Sequence, residues 1–135
     1  MISMELARRL RDAGLIWRPA DGDRFVVPDR DLDQWVYSVS EVTAAIRSVP
    51  GGEMLAFTGT AEWALDSIMQ GEVVWLPTEE QLRTLLGAAF RALRRTSDGY
   101  RCELDTSAGA VSFDASVAAD SYGLALLSQL ERVRA

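Results

Sequence analysis

Three short turn signals constrain this chain more than any other feature. Asp21-Gly22 lies between "LIWRP" and "RFVVP", Pro50-Gly51-Gly52 between "VTAAIRSV" and "EMLAFTG", and Ser107 to Gly109 between "YRCELDT" and "AVSFDAS". The flanking runs alternate or are rich in β-branched and aromatic residues, and glycine-containing turns supply the positive φ that tight hairpins need. The pattern predicts three antiparallel hairpins. "QWVYSVS" adds a further alternating strand. Ser40 also has the chemistry of a helix cap, so a short helix competes with strand just after it.

Helical periodicity fills the intervals. Leu6, Leu10 and Ala13 share one stripe, with Ser3 to cap the start and Gly14 to stop it. From Thr60 to Gln70, the residues Ala61, Ala64, Leu65, Ile68 and Met69 gather on one face at 100° per residue. Thr78 and Gln81 have capping-box spacing after Pro77, and Leu82, Leu85, Leu86, Ala89, Phe90 and Leu93 continue as one stripe. That stripe predicts a helix running to Arg91, Arg94 and Arg95, where cations suit the macrodipole. A last helix from about Val117 is expected to bury Ala119, Tyr122, Leu126, Leu130 and Val133. Val117 and Leu124 fall off that stripe, which predicts a second contact for this helix, within the fold or to another chain. Helices before, between and after consecutive hairpins argue for α+β rather than alternating βαβ units. The expectation is one domain over residues 1–135, in the order α-βββββ-α-α-ββ-α. It is a largely antiparallel sheet built from hairpins, with about four helices packed on one face.

The residue types that are missing narrow the chemistry. The chain has no histidine, and all 14 basic residues are arginine. Arginine does not deprotonate in proteins, so it supplies neither a base nor a Schiff-base amine. Within one chain this excludes Ser–His and Cys–His nucleophile pairs, a pyridoxal-phosphate lysine, a Walker lysine and histidine zinc sites. The composition implies no cofactor. A net charge of −6 opposes binding to nucleic acid or anionic lipid, both of which are driven by basic patches. Arg8, Arg9 and Arg11 are interleaved with acids and read as a solvated face. No apolar run approaches the roughly twenty residues that span a bilayer, and no apolar stretch follows the N-terminal arginines as in a secretory signal. The one cysteine, Cys102, has no partner for an internal disulfide, and with no base to activate it reads as a small buried hydrophobe. A cytoplasmic protein is expected.

Few clusters carry candidate chemistry. Asp29, Asp31 and Asp33 have the alternate spacing that opens a calcium loop, but Gln34 and Ser40 stand where an EF-hand needs glycine and glutamate. A looser site with Asp21 and Asp23 competes with the simpler role of aspartate in turns. Glu62 and Asp66, four apart on one helix face, can share a metal or split their pKa values as acid and base. The same spacing is commonly a solvated face. The Asp-Thr of "DTSAG" at 105–109 resembles an aspartic-protease turn, but the glycine is displaced and a hairpin turn is the reading preferred. Trp63 falls nearly opposite the apolar face of its helix, either packed under the following connection or exposed as a binding anchor. Trp75 is expected to anchor that connection, and Trp17 and Trp35 to sit within strands.

The run "LAFTGTAEWALDSI" followed by "EVVWLPTEEQLRTLLG" resembles a family of small actinobacterial proteins of about this length. Its pattern corresponds here to Gly59, Thr60, Glu62 to Ser67 and Trp75 to Leu86. Members are sometimes labelled pilus assembly proteins of the CpaE type, after a large nucleotide-binding ATPase that uses a lysine absent from this chain. The resemblance transfers no catalytic residue. Two functions compete. The first is a protein-interaction module that binds another protein or its own copy, with Trp63, Asp66 and Trp75 as candidate binding residues. The alternative is a carboxylate- or divalent-metal-dependent enzyme using Glu62 and Asp66, helped by the aspartates of 21–33: Asp21, Asp23, Asp29, Asp31 and Asp33.

Overall fold

The computed structural model describes residues 1–27, 32–38, 44–49, 52–57, 68–69 and 73–134. Chain packing divides the molecule into two compact units, Met1–Ile16 with Leu76–Ala135, and Trp17–Trp75. Helices and antiparallel strands together give the α+β class that the hairpins and helical stripes predict.

In the first unit, helix α1 (Met4–Asp12) begins at Ser3, whose hydroxyl accepts the Leu6 amide at 3.3 Å. It stops with two paired bonds, Gly14 N–H to the Arg11 carbonyl and Leu15 N–H to the Leu10 carbonyl. That is a Schellman ending, which satisfies carbonyls a helix end would otherwise leave orphaned. Helix α2 (Glu79–Leu86) opens with the expected capping box between Thr78 and Gln81. Strands β7 (Phe90–Arg95), β8 (Tyr100–Thr106) and β9 (Gly109–Ala115) form an antiparallel sheet in that order, and helix α3 (Ala118–Arg134) follows.

Helix α3 packs against β8 and β9 and carries α1 and α2 against it. Ala119, Tyr122, Ala125, Leu126 and Leu127 are buried. At Gly123 the two helices come so close that a Cβ would lie 2.7 Å from Leu6 Cδ2. Any larger residue there would force the Leu6 side chain to shift. The Ser3 amide donates to Asp120 at 2.8 Å and ties the start of α1 to the first turn of α3.

The second unit holds β1 (Arg24–Val27), β2 (Leu32–Ser38), β3 (Ala44–Val49), β4 (Gly52–Phe57) and β5 (Ile68–Met69). A sixth strand, β6 (Val74–Leu76), ends where the chain returns to the first unit. The sheet orders are β2-β1-β6 and β3-β4-β5. The β3–β4 pairing runs from Ala44↔Phe57 to Val49↔Gly52, which is the hairpin that "PGG" predicts.

Five expectations are corrected. The strands do not form one sheet: among the described residues, their hydrogen bonds define three three-stranded sheets. "LIWRP" is not a strand, because β1 already has β2 and β6 on its two sides and Pro19 has no N–H to offer a ladder. Asp21-Gly22 still makes a tight turn, closed by the Asp23 amide on the Ala20 carbonyl at 3.0 Å. Ile68 and Met69 belong not to a helix but to β5, where they pair with Leu55 and Met54 of β4; the remainder of the expected 60–70 helix lies outside the described residues, apart from these two.

The largest correction concerns residues 78–95. The helix ends at Leu86; a 3₁₀ turn over Gly87–Ala89 follows, and "FRALRR" becomes β7. Gly87 takes φ 60°, a conformation that interrupts the helix at little cost only for glycine. Arg91, Arg94 and Arg95 therefore sit on a strand, not at a helix C-terminus, and Leu85, at the end of the shortened helix, is exposed. The last helix also differs from expectation, since Val133 is 84% exposed. It lies beside the β8–β9 turn, where Arg132 donates to Ser107 at 3.1 Å.

Candidate interaction surface

The β7–β9 sheet has two unlike faces, and strand alternation assigns each residue to one of them. Register aligns Phe90, Leu104 and Val111 in one row and Leu93, Cys102 and Phe113 in the next, all on the face toward α3. Leu104 and Cys102 on the central strand are fully buried. The Phe90 ring meets that of Tyr122 at 5.7 Å. Burial fades towards β9, where Val111 is 37% exposed.

The other face carries charge. Arg101 Nε and a terminal nitrogen reach both oxygens of Asp114 at 2.8 and 3.0 Å. Arg94 Nε meets Glu103 at 2.6 Å, and Arg91 meets Asp105 at 3.2 Å. Arg94 lies directly opposite Arg101, a like-charge pairing that their acidic neighbours neutralise. The Asp114 hydrogen bond and charge raise the Arg101 pKa, and the same bond holds the Asp114 carboxyl below its ordinary range. These pairs are solvent-exposed and act on register more than on stability.

Among the described residues, β7 and β9 are the edges of this sheet, and they differ. Strand β7 carries Arg91, Arg94 and Arg95 and has a bulge between Phe90 and Ala92, both of which discourage another strand from adding to it. Strand β9 pairs with β8 without interruption from Thr106↔Gly109 to Tyr100↔Ala115. It has no proline or basic residue, and its single charge, Asp114, is held by Arg101. Gly109, Ala110, Val111 and Ser112 are exposed. Beneath this edge lies an open groove of about 400 Å³ lined by Phe113, Leu124 and Leu127, with Arg9, Glu131 and Arg132 on its rim. Leu124, off the buried stripe in the sequence, is half-buried at this groove.

The residues singled out in the sequence are placed as follows. Glu62, Trp63 and Asp66 lie outside the described residues, as do Asp29 and Asp31. Asp33 lies on β2. Trp75, on β6, is half-buried and stacks on Trp17 with ring centroids 6.5 Å apart at 14°. Its Nε1 is buried, with no hydrogen-bond partner among the described residues. Trp17 is buried and donates to Asp23 Oδ2 at 2.9 Å, while its ring lies 5.3 Å from Phe25. The Asp23 carboxylate also accepts the Ala20 amide at 3.0 Å. That buried acid is engaged in holding a turn and an indole. Among the described residues, no group of three or more Cys, Asp or Glu stands where it could hold a metal ion.

Cys102 is buried, and desolvation, with Glu103 nearby, pushes its thiol up to about 11. Burial likewise raises the Tyr122 hydroxyl, partly offset by Arg83 beside it. Both groups stay neutral near pH 7, the protonation state that burial favours. "DTSAG" forms the β8–β9 turn, with the Thr106 hydroxyl donating to the Gly109 carbonyl at 2.8 Å.

Sequence reading did not single out Val111, Ser112 or Phe113. The available signal was their composition: an alternating seven-residue strand without proline or a basic residue, next to a helix with an off-stripe leucine. No family model, curated protein or solved structure matches this chain.

Proposed function

We propose that this chain is a small cytoplasmic protein-interaction module that docks its partner along β9 and the groove beneath it. The observation that carries this reading is the asymmetry of the sheet edges. Strand β7 is bulged and arginine-rich, whereas β9 is regular, exposed and nearly uncharged. An open strand edge offers backbone donors and acceptors for strand addition, and a flanking apolar groove gives side-chain specificity.

The test is affinity capture from an extract of the organism that encodes the chain. Wild type, Val111→Glu and Arg95→Ser serve as baits, with equal folding checked by circular dichroism. A protein retained by wild type and Arg95→Ser but lost with Val111→Glu is the expected result. Equal retention by all three baits, or none by any, overturns the reading.

A further inference from the structure

We propose that the occupant of the β9 edge is a second copy of this chain, joined by antiparallel β9–β9 pairing about a two-fold axis at Ser112. This rests on the reading of the β9 side as a docking surface and names its partner. Full overlap of the seven residues Gly109–Ala115 pairs Ser112 with itself, Val111 with Phe113 and Ala110 with Asp114. The strand is self-complementary in that register. Val111 and Phe113 share the face toward α3, so the pairing forms an aromatic–β-branched cross-strand contact twice, a favourable combination. Asp114, the only charge on the strand, meets Ala110 of the copy, and no like charges oppose each other.

The groove rim satisfies the same symmetry. Arg9 and Arg132 are basic and Glu131 is acidic, so a surface facing its own copy carries both signs. In a two-fold interface each patch meets its own copy, so a patch of mixed sign avoids a purely like-charge contact. The pairing joins two three-stranded sheets into one of six strands and leaves the arginine-bearing β7 strands as its outer edges. It also brings the Val111 side chain of one copy over the half-exposed Phe113 and Leu124 side of the other, which is the second contact that the off-stripe Leu124 predicts for α3.

The experiment combines sedimentation velocity with cysteine cross-linking. Wild type is expected to sediment as two chains per particle at micromolar concentration and Val111→Glu as one. Circular dichroism checks that this variant, at a site 37% exposed, keeps its fold. Under mild oxidation Ser112→Cys should form a disulfide-linked dimer, since directly opposed Cα atoms fall within disulfide reach. Ala110→Cys should not, because its two copies are offset by four residues, about 13 Å along the strands. A monomeric wild type, or cross-linking of Ala110→Cys equal to that of Ser112→Cys, overturns the pairing. If the monomer still captures a different protein that Val111→Glu loses, self-pairing alone fails; if Val111→Glu loses nothing, the docking surface fails with it.

Discussion

Strands β7 and β9 flank the same central strand and face the same helix, yet they end the sheet in opposite ways. β7 spends its exposed positions on arginines that reach Glu103 and Asp105 on β8, and a bulge breaks its register. β9 is regular and small-chained, and its one charge is bound to Arg101. Free strand edges are a hazard that proteins commonly blunt with basic residues and bulges. This sheet has both devices on one edge and neither on the other. That asymmetry is what the proposed docking along β9 rests on.

The comparison is tested most severely across the row Phe90–Leu104–Val111. Leu104→Ala, at a site 1% exposed, should cost about 2–5 kcal/mol in denaturant unfolding. Val111→Ala, its register partner on β9, should cost below about 1 kcal/mol in dilute solution because that site is already partly open. Similar losses at the two sites would mean that β9 is as well covered as β8. A smaller effect comes from Cys102, flanked by Leu93 on β7 and Phe113 on β9. Its folded thiol keeps the proton above the ordinary value of 9.0, up to about 11. The stability it contributes is whole below pH 9 and declines as pH rises towards 11. Cys102→Ala should remove that part of the alkaline decline in thermal melts.

Asp114→Asn probes the weakest link, the exposed ion pair that holds the β9 charge. Arg101 lowers the Asp114 pKa, so its contribution is present above the ordinary carboxylate range and is lost as pH falls through the lowered value. The midpoint of unfolding should shift only slightly, and the shift should vanish in high salt. A large, salt-independent loss would show that the outer face is structural rather than a guide to register.

Local signals were read from the sequence with good accuracy. The Ser3 cap, the stop at Gly14, the Thr78–Gln81 box, the Val49↔Gly52 hairpin pairing and the turn at 107–108 each depend on a few adjacent residues. Residues 90–95 were misread because "FRALRR" satisfies helical and strand spacing alike. The deciding facts are the positive φ at Gly87 and the pairing of Phe90 and Leu93 with Leu104 and Cys102, about ten residues further along the chain. "LIWRP" has strand composition, but Trp17 instead buries its ring against Phe25 and Trp75. Of the candidate site, Leu124 was visible as an off-stripe apolar residue. Val111 was not, because its exposure follows from β9 being an edge.

By itself, the sequence determined the α+β class, the caps, the tight turns and the exclusion of histidine- and lysine-based chemistry. These follow from residue type and from interactions that span a turn or less. Tertiary structure alone decided that 90–95 is a strand, that β1 pairs with β2 and β6, and that β9 ends its sheet. Strand partners are chosen by burying side chains and satisfying backbone groups between distant segments, and no local spacing encodes which segment takes the last free edge.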